Sequence, residues 1–239
     1  MDTKVSPCFP KGTQIGKKRL GENPSVAEVV TLLCFYVSYS LNYFNLCGGC
    51  MTIKYVSAFR GMGGVEKALE QIGGFRCVGA FEIDPHANLF SENYFERTIN
   101  HGNITTTNAT EVADHSLLIG GVPCQSFSVA GLRRGFSDYS RGTLFFDFAR
   151  IIGAKQPEIV VLENVRGLVS HDKGQTLSVI INTLGELGYR AEWGFLNSKD
   201  YGVPQNRVRW YCVARHLRTK PSGTIFPLGA NNAEDFSGE

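Results

Sequence analysis

The stretch Ile53-Lys54-Tyr55-Val56-Ser57-Ala58-Phe59-Arg60-Gly61-Met62-Gly63-Gly64-Val65-Glu66-Lys67-Ala68-Leu69-Glu70-Gln71-Ile72 decides the fold. Its first six residues are mostly apolar, with β-branched and aromatic members, and predict a strand over 53–58. Glycines at 61, 63 and 64 let the chain turn sharply with no side chain in the way. A helix follows over 65–72. The same alternation continues with strand 77–82, helix 85–94, strand 116–119, helix 144–152, strand 159–162 and helix 175–187. Segments 190–196 and 208–214 close the run as an antiparallel pair. This order predicts an α/β fold: a mostly parallel sheet, an antiparallel C-terminal strand, and helices on both faces. Ligands of such sheets bind beyond the carboxyl ends of the strands.

Working outward, the 239 residues suffice for one sizeable α/β domain. Hydrophobic content of 43% and charged content of 19% argue against bulk disorder. A net charge of +2 implies no nucleic-acid partner by itself, so basic residues have to be weighed locally. Five basic residues and no acid lie between Arg207 and Lys220, and Arg133, Arg134 and Arg141 form a second cluster. Either set suits phosphates or a solvated face. The seven cysteines are irregularly spaced, which fits a reducing cytoplasm rather than a disulfide framework. Cys47-Gly48-Gly49-Cys50 has no second such pair, so no metal site is expected. The apolar segment 26–44 is interrupted by Glu28, Thr31 and several serines, which predicts a buried helix and not a membrane span.

Two carboxylates and one thiol stand at the predicted strand ends. Glu82, in Phe81-Glu82-Ile83-Asp84, is placed to hold both ribose hydroxyls of a nucleoside ligand. Glu66 replaces the third glycine of a dinucleotide fingerprint, and no basic residue awaits a 2′-phosphate. A nucleoside cofactor without a pyrophosphate fits better, and S-adenosyl-L-methionine is the natural candidate. Cys124 follows the apolar run 117–119 in Gly120-Gly121-Val122-Pro123-Cys124-Gln125-Ser126-Phe127-Ser128, and Glu163 follows the apolar run 159–162. A thiol and a carboxylic acid at the ends of two strands can share one pocket, and the pair suits attack on an electron-poor ring whose nitrogen must be protonated at the same moment.

Seven motifs in order carry a family resemblance. They are Phe59-Arg60-Gly61-Met62-Gly63-Gly64, Phe81-Glu82-Ile83-Asp84, Gly102-Asn103-Ile104, the Cys124 run, Ser140-Arg141-Gly142-Thr143-Leu144-Phe145, Glu163-Asn164-Val165, and Asp200-Tyr201-Gly202-Val203-Pro204-Gln205-Asn206-Arg207-Val208-Arg209. Together they resemble the cytosine carbon-5 DNA methyltransferases of bacterial restriction–modification systems. The resemblance implies a Rossmann-like S-adenosylmethionine-dependent methyltransferase fold and S-adenosyl-L-homocysteine as product. It implies that Cys124 adds to carbon 6 of a flipped-out cytosine, that Glu163 protonates ring nitrogen 3, and that Arg209 contacts the base oxygen. Phe59, Gly61, Gly63, Gly64, Glu82, Ile83, Asn103, Ile104, Pro123 and Leu144 take the cofactor-binding positions. Gln125, Ser128, Arg133, Arg134, Arg141 and Arg207 take the catalytic-loop and nucleic-acid positions, with double-stranded DNA as substrate.

Two departures stand out. Asn103 replaces the family's usual aspartate, and its amide oxygen can still accept a hydrogen bond from an adenine amino group. The second concerns order. Gly21-Glu22-Asn23-Pro24-Ser25-Val26 resembles the family's last motif, which places Asn23 near the cofactor and implies a circular permutation. The domain reading is an arm and helix over 1–50, a catalytic domain over 51–216 and a tail over 217–239. No stretch matches the family's target-recognition domain, so the expected partner is a second polypeptide carrying it together with the missing motif. A bacterial cytoplasmic location follows from the resemblance. Competing readings are an RNA (transfer RNA) cytosine methyltransferase, a regulatory paralogue without activity and, more distantly, a nicotinamide-dependent oxidoreductase.

Overall fold

The computed structural model describes residues 52–95, 98–123, 144–201 and 204–219. The helix expected over 26–44 and most of the tail lie outside them. Six strands form one sheet: β1 (Ile53–Ala58), β2 (Phe75–Phe81), β3 (Leu117–Gly120), β4 (Ile159–Val165), β5 (Tyr189–Asn197) and β6 (Val208–His216). Among the described residues four helices of the α type accompany them: α1 (Gly64–Ile72), α2 (Pro85–Tyr94), α3 (Leu144–Lys155) and α4 (Gln175–Glu186). The strand order is β2-β1-β3-β4-β6-β5. The first four strands run parallel, and β6 is inserted antiparallel between β4 and β5. This is the mixed sheet the alternation predicts.

Burial explains why β3 and β4 read as continuous apolar runs. All four residues of β3 are buried, as are the first four of β4, because side chains on both faces are covered. On one face Val56, Leu118, Val160, Leu162 and Cys212 pack with Phe145, Phe148, Ile151 and Ile152 of α3 and with Ile180 and Leu184 of α4. On the other, Tyr55, Leu117, Ile119, Val161, Tyr211 and Val213 pack with Leu69 of α1. Burying each large apolar side chain contributes on the order of 2 kcal/mol. Among the described residues no helix is long and apolar enough to cross a membrane.

Several boundaries differ from expectation by one to three residues, and strand pairing accounts for two of the shifts. β2 begins at Phe75 rather than Cys77, because its pairing with β1 starts at Ile53↔Phe75. β4 continues past Leu162 to Val165, since the antiparallel ladder with β6 extends to Val165↔Arg209. Glu163 therefore sits within a strand rather than after one.

Gly120 ends β3 for a packing reason: a Cβ there would lie 2.6 Å from Cε2 of Phe148, a ring with no exposure. The Gly120→Ala substitution should destabilise the fold by about 1–3 kcal/mol through overpacking, read as a lowered denaturant midpoint. Gly121→Ala, one residue on, has 3.4 Å of room to its nearest neighbour and serves as the milder comparison.

Candidate active site at the carboxyl edge of the sheet

The turn from β1 to α1 is built on left-handed backbone at Phe59, Gly61 and Gly63, with φ of 56°, 56° and 82°. The glycines do different work. A Cβ on Gly63 would meet the Phe95 ring at 2.3 Å, so this glycine serves packing. Among the described residues no atom lies within 4 Å of a Cβ position on Gly61 or Gly64, so their backbone borders open space that a ligand can enter. Glu82, one residue past β2, closes this side. Its Oε2 accepts the Gly61 N–H at 2.7 Å, and its Oε1 accepts the Ile83 and Asp84 N–H groups at 2.8 Å each. Three backbone donors thus aim one carboxylate while leaving lone-pair capacity for hydroxyls. Ile83 beside it is 72% exposed, an apolar surface with no protein partner over most of its area. Asp84 caps α2 by accepting the His86 and Ala87 N–H groups, which holds its carboxyl below the usual range.

Three of the cofactor positions are otherwise engaged. The Asn103 amide oxygen accepts both the N–H and the hydroxyl of Thr105 at 3.0 Å, so it shapes its own turn. Ile104 is 3% exposed within the core, and its carbonyl accepts Nη2 of Arg150 at 2.6 Å. Leu144 opens α3 with its side chain against the core. Apolar side chains at these positions gain more from the interior than from an open cleft, which motif position alone does not reveal.

A cavity of about 290 Å³ joins the glycine turn to β4 and β6, with Ser57, Phe59, Gly64, Gly121, Glu163, Arg207 and Tyr211 on its wall. Glu163 Oε1 lies 3.0 Å from Nε of Arg209. Burial pushes the Glu163 carboxyl above its ordinary range, and Arg209 and Arg207 pull it back only in part. Tyr211 stands opposite Glu163 in the ladder, and burial raises its phenol further from ionisation. A Cβ on Gly121 would come 3.4 Å from Glu163 Oε2, so the glycine keeps the approach to the carboxyl narrow but open.

Asn164 supplies what motif reading missed. It is 5% exposed, its Nδ2 donates to the Val122 carbonyl at 2.8 Å, and its Oδ1 accepts the Val165 N–H at 2.8 Å. The backbone two residues before Cys124 is thereby tied to the residue after Glu163. The available signal was an amide inside the apolar run 159–165, since buried polar groups need partners. Pro123 is described and exposed. Cys124, Gln125, Ser128, Arg133, Arg134, Arg141 and Asn23 lie outside the described residues. Arg207, the exposed residue just before β6, also lines the cavity, so the start of this strand brings both Arg207 and Arg209 towards Glu163.

Removing the tether gives a direct test. Asn164→Ala should cost about 1–3 kcal/mol by leaving the Val122 carbonyl without its donor, and amide hydrogen exchange should rise at Gly121 and Val122. Unchanged exchange there would show that the tether does not hold this loop.

Comparison with known proteins then gives the site a family. The C-5 cytosine-specific DNA methylase family model matches residues 53–237. The type II methyltransferase M.NlaIV of Neisseria lactamica is 44% identical over 182 residues, covering 71% of this chain and 42% of that protein. M.HhaI of Haemophilus parahaemolyticus is 44% identical over 162 residues, covering 67% and 48%. The chain thus spans less than half the length of either relative. Among solved structures, a DNA modification methyltransferase encoded within an E. coli prophage aligns with a TM-score of 0.56 at 26% identity, over 69% of this chain and 47% of that one. The S. pombe Dnmt2 methyltransferase aligns with a TM-score of 0.55 at 21% identity, over 72% and 52%, a likeness of fold. With a family match over most of its length and relatives at this identity, the chain belongs to the C-5 cytosine-specific DNA methylases.

Proposed function

We propose that this chain carries the catalytic chemistry of a DNA cytosine carbon-5 methyltransferase, acting on a base flipped out of duplex DNA. One observation carries the reading: a half-buried Glu163 with a raised pKa faces Arg209, beside the strand end that leads into Cys124. S-adenosylmethionine, when bound, supplies a methyl group on an electrophilic sulfonium. The residues present fit that molecule: Glu82 for its ribose hydroxyls, the open backbone at Gly61 and Gly64, and Ile83 as an apolar surface for its base.

The Cys124 thiolate forms a bond to carbon 6 of cytosine, and the electron pair of the 5,6 double bond moves towards ring nitrogen 3. Glu163 gives its proton to that nitrogen, leaving an enamine whose carbon 5 is nucleophilic. After methylation, carbon 5 loses its proton to a base, the carbon–sulfur bond breaks and ring nitrogen 3 returns its proton to Glu163, which restores the neutral ring, the thiolate and the acid. Arg209 orients Glu163 and meets the base oxygen. Arg207, with Arg133, Arg134 and Arg141, contributes to phosphate contact. In this reading Asn23 belongs to a permuted copy of the family's last motif, and a second polypeptide supplies target recognition. The names of the bacterial relatives favour duplex DNA over transfer RNA as the acceptor.

Duplex DNA containing 5-fluorocytosine should trap a covalent adduct in the presence of S-adenosylmethionine, because fluorine blocks the proton loss. Cys124→Ser should abolish the adduct, and an adduct retained by that variant would overturn the nucleophile assignment. Transfer RNA is the parallel acceptor in the same assay. Robust sequence-specific methylation by the chain alone would remove the case for a partner.

The pH dependence follows from the sign of the Glu163 shift. Its raised pKa keeps the proton on Glu163 to higher pH than on a free carboxyl, so turnover falls as pH rises through that pKa. Arg209→Ala removes a cation that pulls the pKa down, so the alkaline limb should move upward even as kcat falls. Glu163→Gln should cut kcat by about 10²–10⁴ and erase that limb.

A further inference from the structure

We propose that Asn100 is the positioning residue for the cofactor carboxylate of Glu82, an inference that rests on the cofactor reading given above. Asn100 lies in a short segment that adds to the outer edge of β2. Ala80 donates its N–H to Ile99 at 2.9 Å, and His101 donates to Ala80 at 2.8 Å, which forms a parallel bridge between Ala80 and Asn100. From that bridge the Asn100 amide turns onto the Glu82 peptide and grips both sides of it. Its Oδ1 accepts the Glu82 N–H at 3.1 Å, and its Nδ2 donates to the Glu82 carbonyl at 3.0 Å.

The remaining valences are also filled. Oδ1 accepts the Gly102 N–H at 3.1 Å, and Nδ2 donates to Oδ1 of Asn88 at 3.0 Å. Two donors and two acceptor sites are all that an amide side chain offers, so Asn100 is saturated. Asn88 repeats the grip from α2: its Nδ2 reaches the Glu82 carbonyl at 3.2 Å, and its Oδ1 accepts Nη2 of Arg60 at 3.2 Å. The loops after β1 and β2, the start of α2, and the segment leading to Asn103 are thus tied to the two peptide groups that flank the Glu82 Cα.

Exposure argues that this arrangement serves position and not burial. Asn100 is exposed, so water would satisfy the same groups at little cost if the network were absent. What water cannot do is fix the rotation of the Glu82 peptide. That rotation sets where the carboxylate stands relative to the Gly61 N–H it accepts at 2.7 Å. A preorganised acceptor binds hydroxyls without first losing conformational freedom.

The test is equilibrium binding of S-adenosyl-L-homocysteine to the full chain by calorimetry, together with steady-state kinetics and unliganded Tm. Asn100→Ala should weaken binding about tenfold, equivalent to roughly 1.4 kcal/mol. The loss should fall on KM for the cofactor and not on kcat, with Tm nearly unchanged. Asn100→Asp, which discards both donors and sets a second negative charge beside Glu82, should bind more weakly still. Asn88→Ala removes one arm of the network and should give an intermediate loss, which keeps the idea testable should Asn100→Ala fold poorly. Glu82→Ala separates the two readings. If Glu82→Ala abolishes binding while Asn100→Ala and Asn88→Ala bind as the unmodified chain does, Asn100 is not a positioning residue. If Glu82→Ala leaves binding intact, or the unmodified chain binds nothing, the cofactor reading falls and this inference with it.

Discussion

The ladder between β4 and β6 is the constraint on which the site depends. Its seven pairs run from Ile159↔Arg215 to Val165↔Arg209 and place Tyr211 directly across from Glu163. Arg209, two positions along from Tyr211, then shares the face of Glu163 and reaches it diagonally at 3.0 Å. Because side chains alternate across a strand, a slip of one residue would send Arg209 to the opposite face and leave the acid without its cation. The apolar residues of β6 resist that slip, since Tyr211 and Val213 would leave one packed face as Trp210 and Cys212 left the other.

Much of the frame was legible in the sequence, and the physics says why. The strand 53–58 and the helix 85–94 have the bounds read from their residues. In the first, a run of mostly apolar residues stops at a glycine turn. In the second, Asp84 and Pro85 form a cap and a first turn that few other structures tolerate. The strand end at Glu163 was less legible. Local pattern stops at the last apolar residue, whereas the ladder continues as long as a partner does, and the partner lies well downstream in the chain.

The site divided along similar lines. Gly61 and Glu82, from separate motifs, meet through a backbone hydrogen bond at the carboxyl edge of the sheet. Ile104 and Leu144 lie in other motifs of the set, yet their side chains are drawn into the core. Asn100 lies outside every quoted motif, and Asn164 lies inside one that assigns it no role, so the importance of each rests on which carbonyl or N–H it meets. Such contacts join residues far apart in the chain, and neither periodicity nor spacing records them.

The strand order also sets a sequence of events during synthesis. β5 is made before β6, yet β6 is its neighbour in the sheet and separates it from β4. A ribosome that has released residues up to Asn197 has therefore produced a strand with no place to add. The parallel half, by contrast, can already close around β1, β3 and β4. Only when the segment through His216 emerges do the edge strand, the antiparallel ladder and the Glu163–Arg209 pair form together. Completion of the sheet and formation of the Glu163–Arg209 pair are therefore one step, which follows the closing of the parallel half.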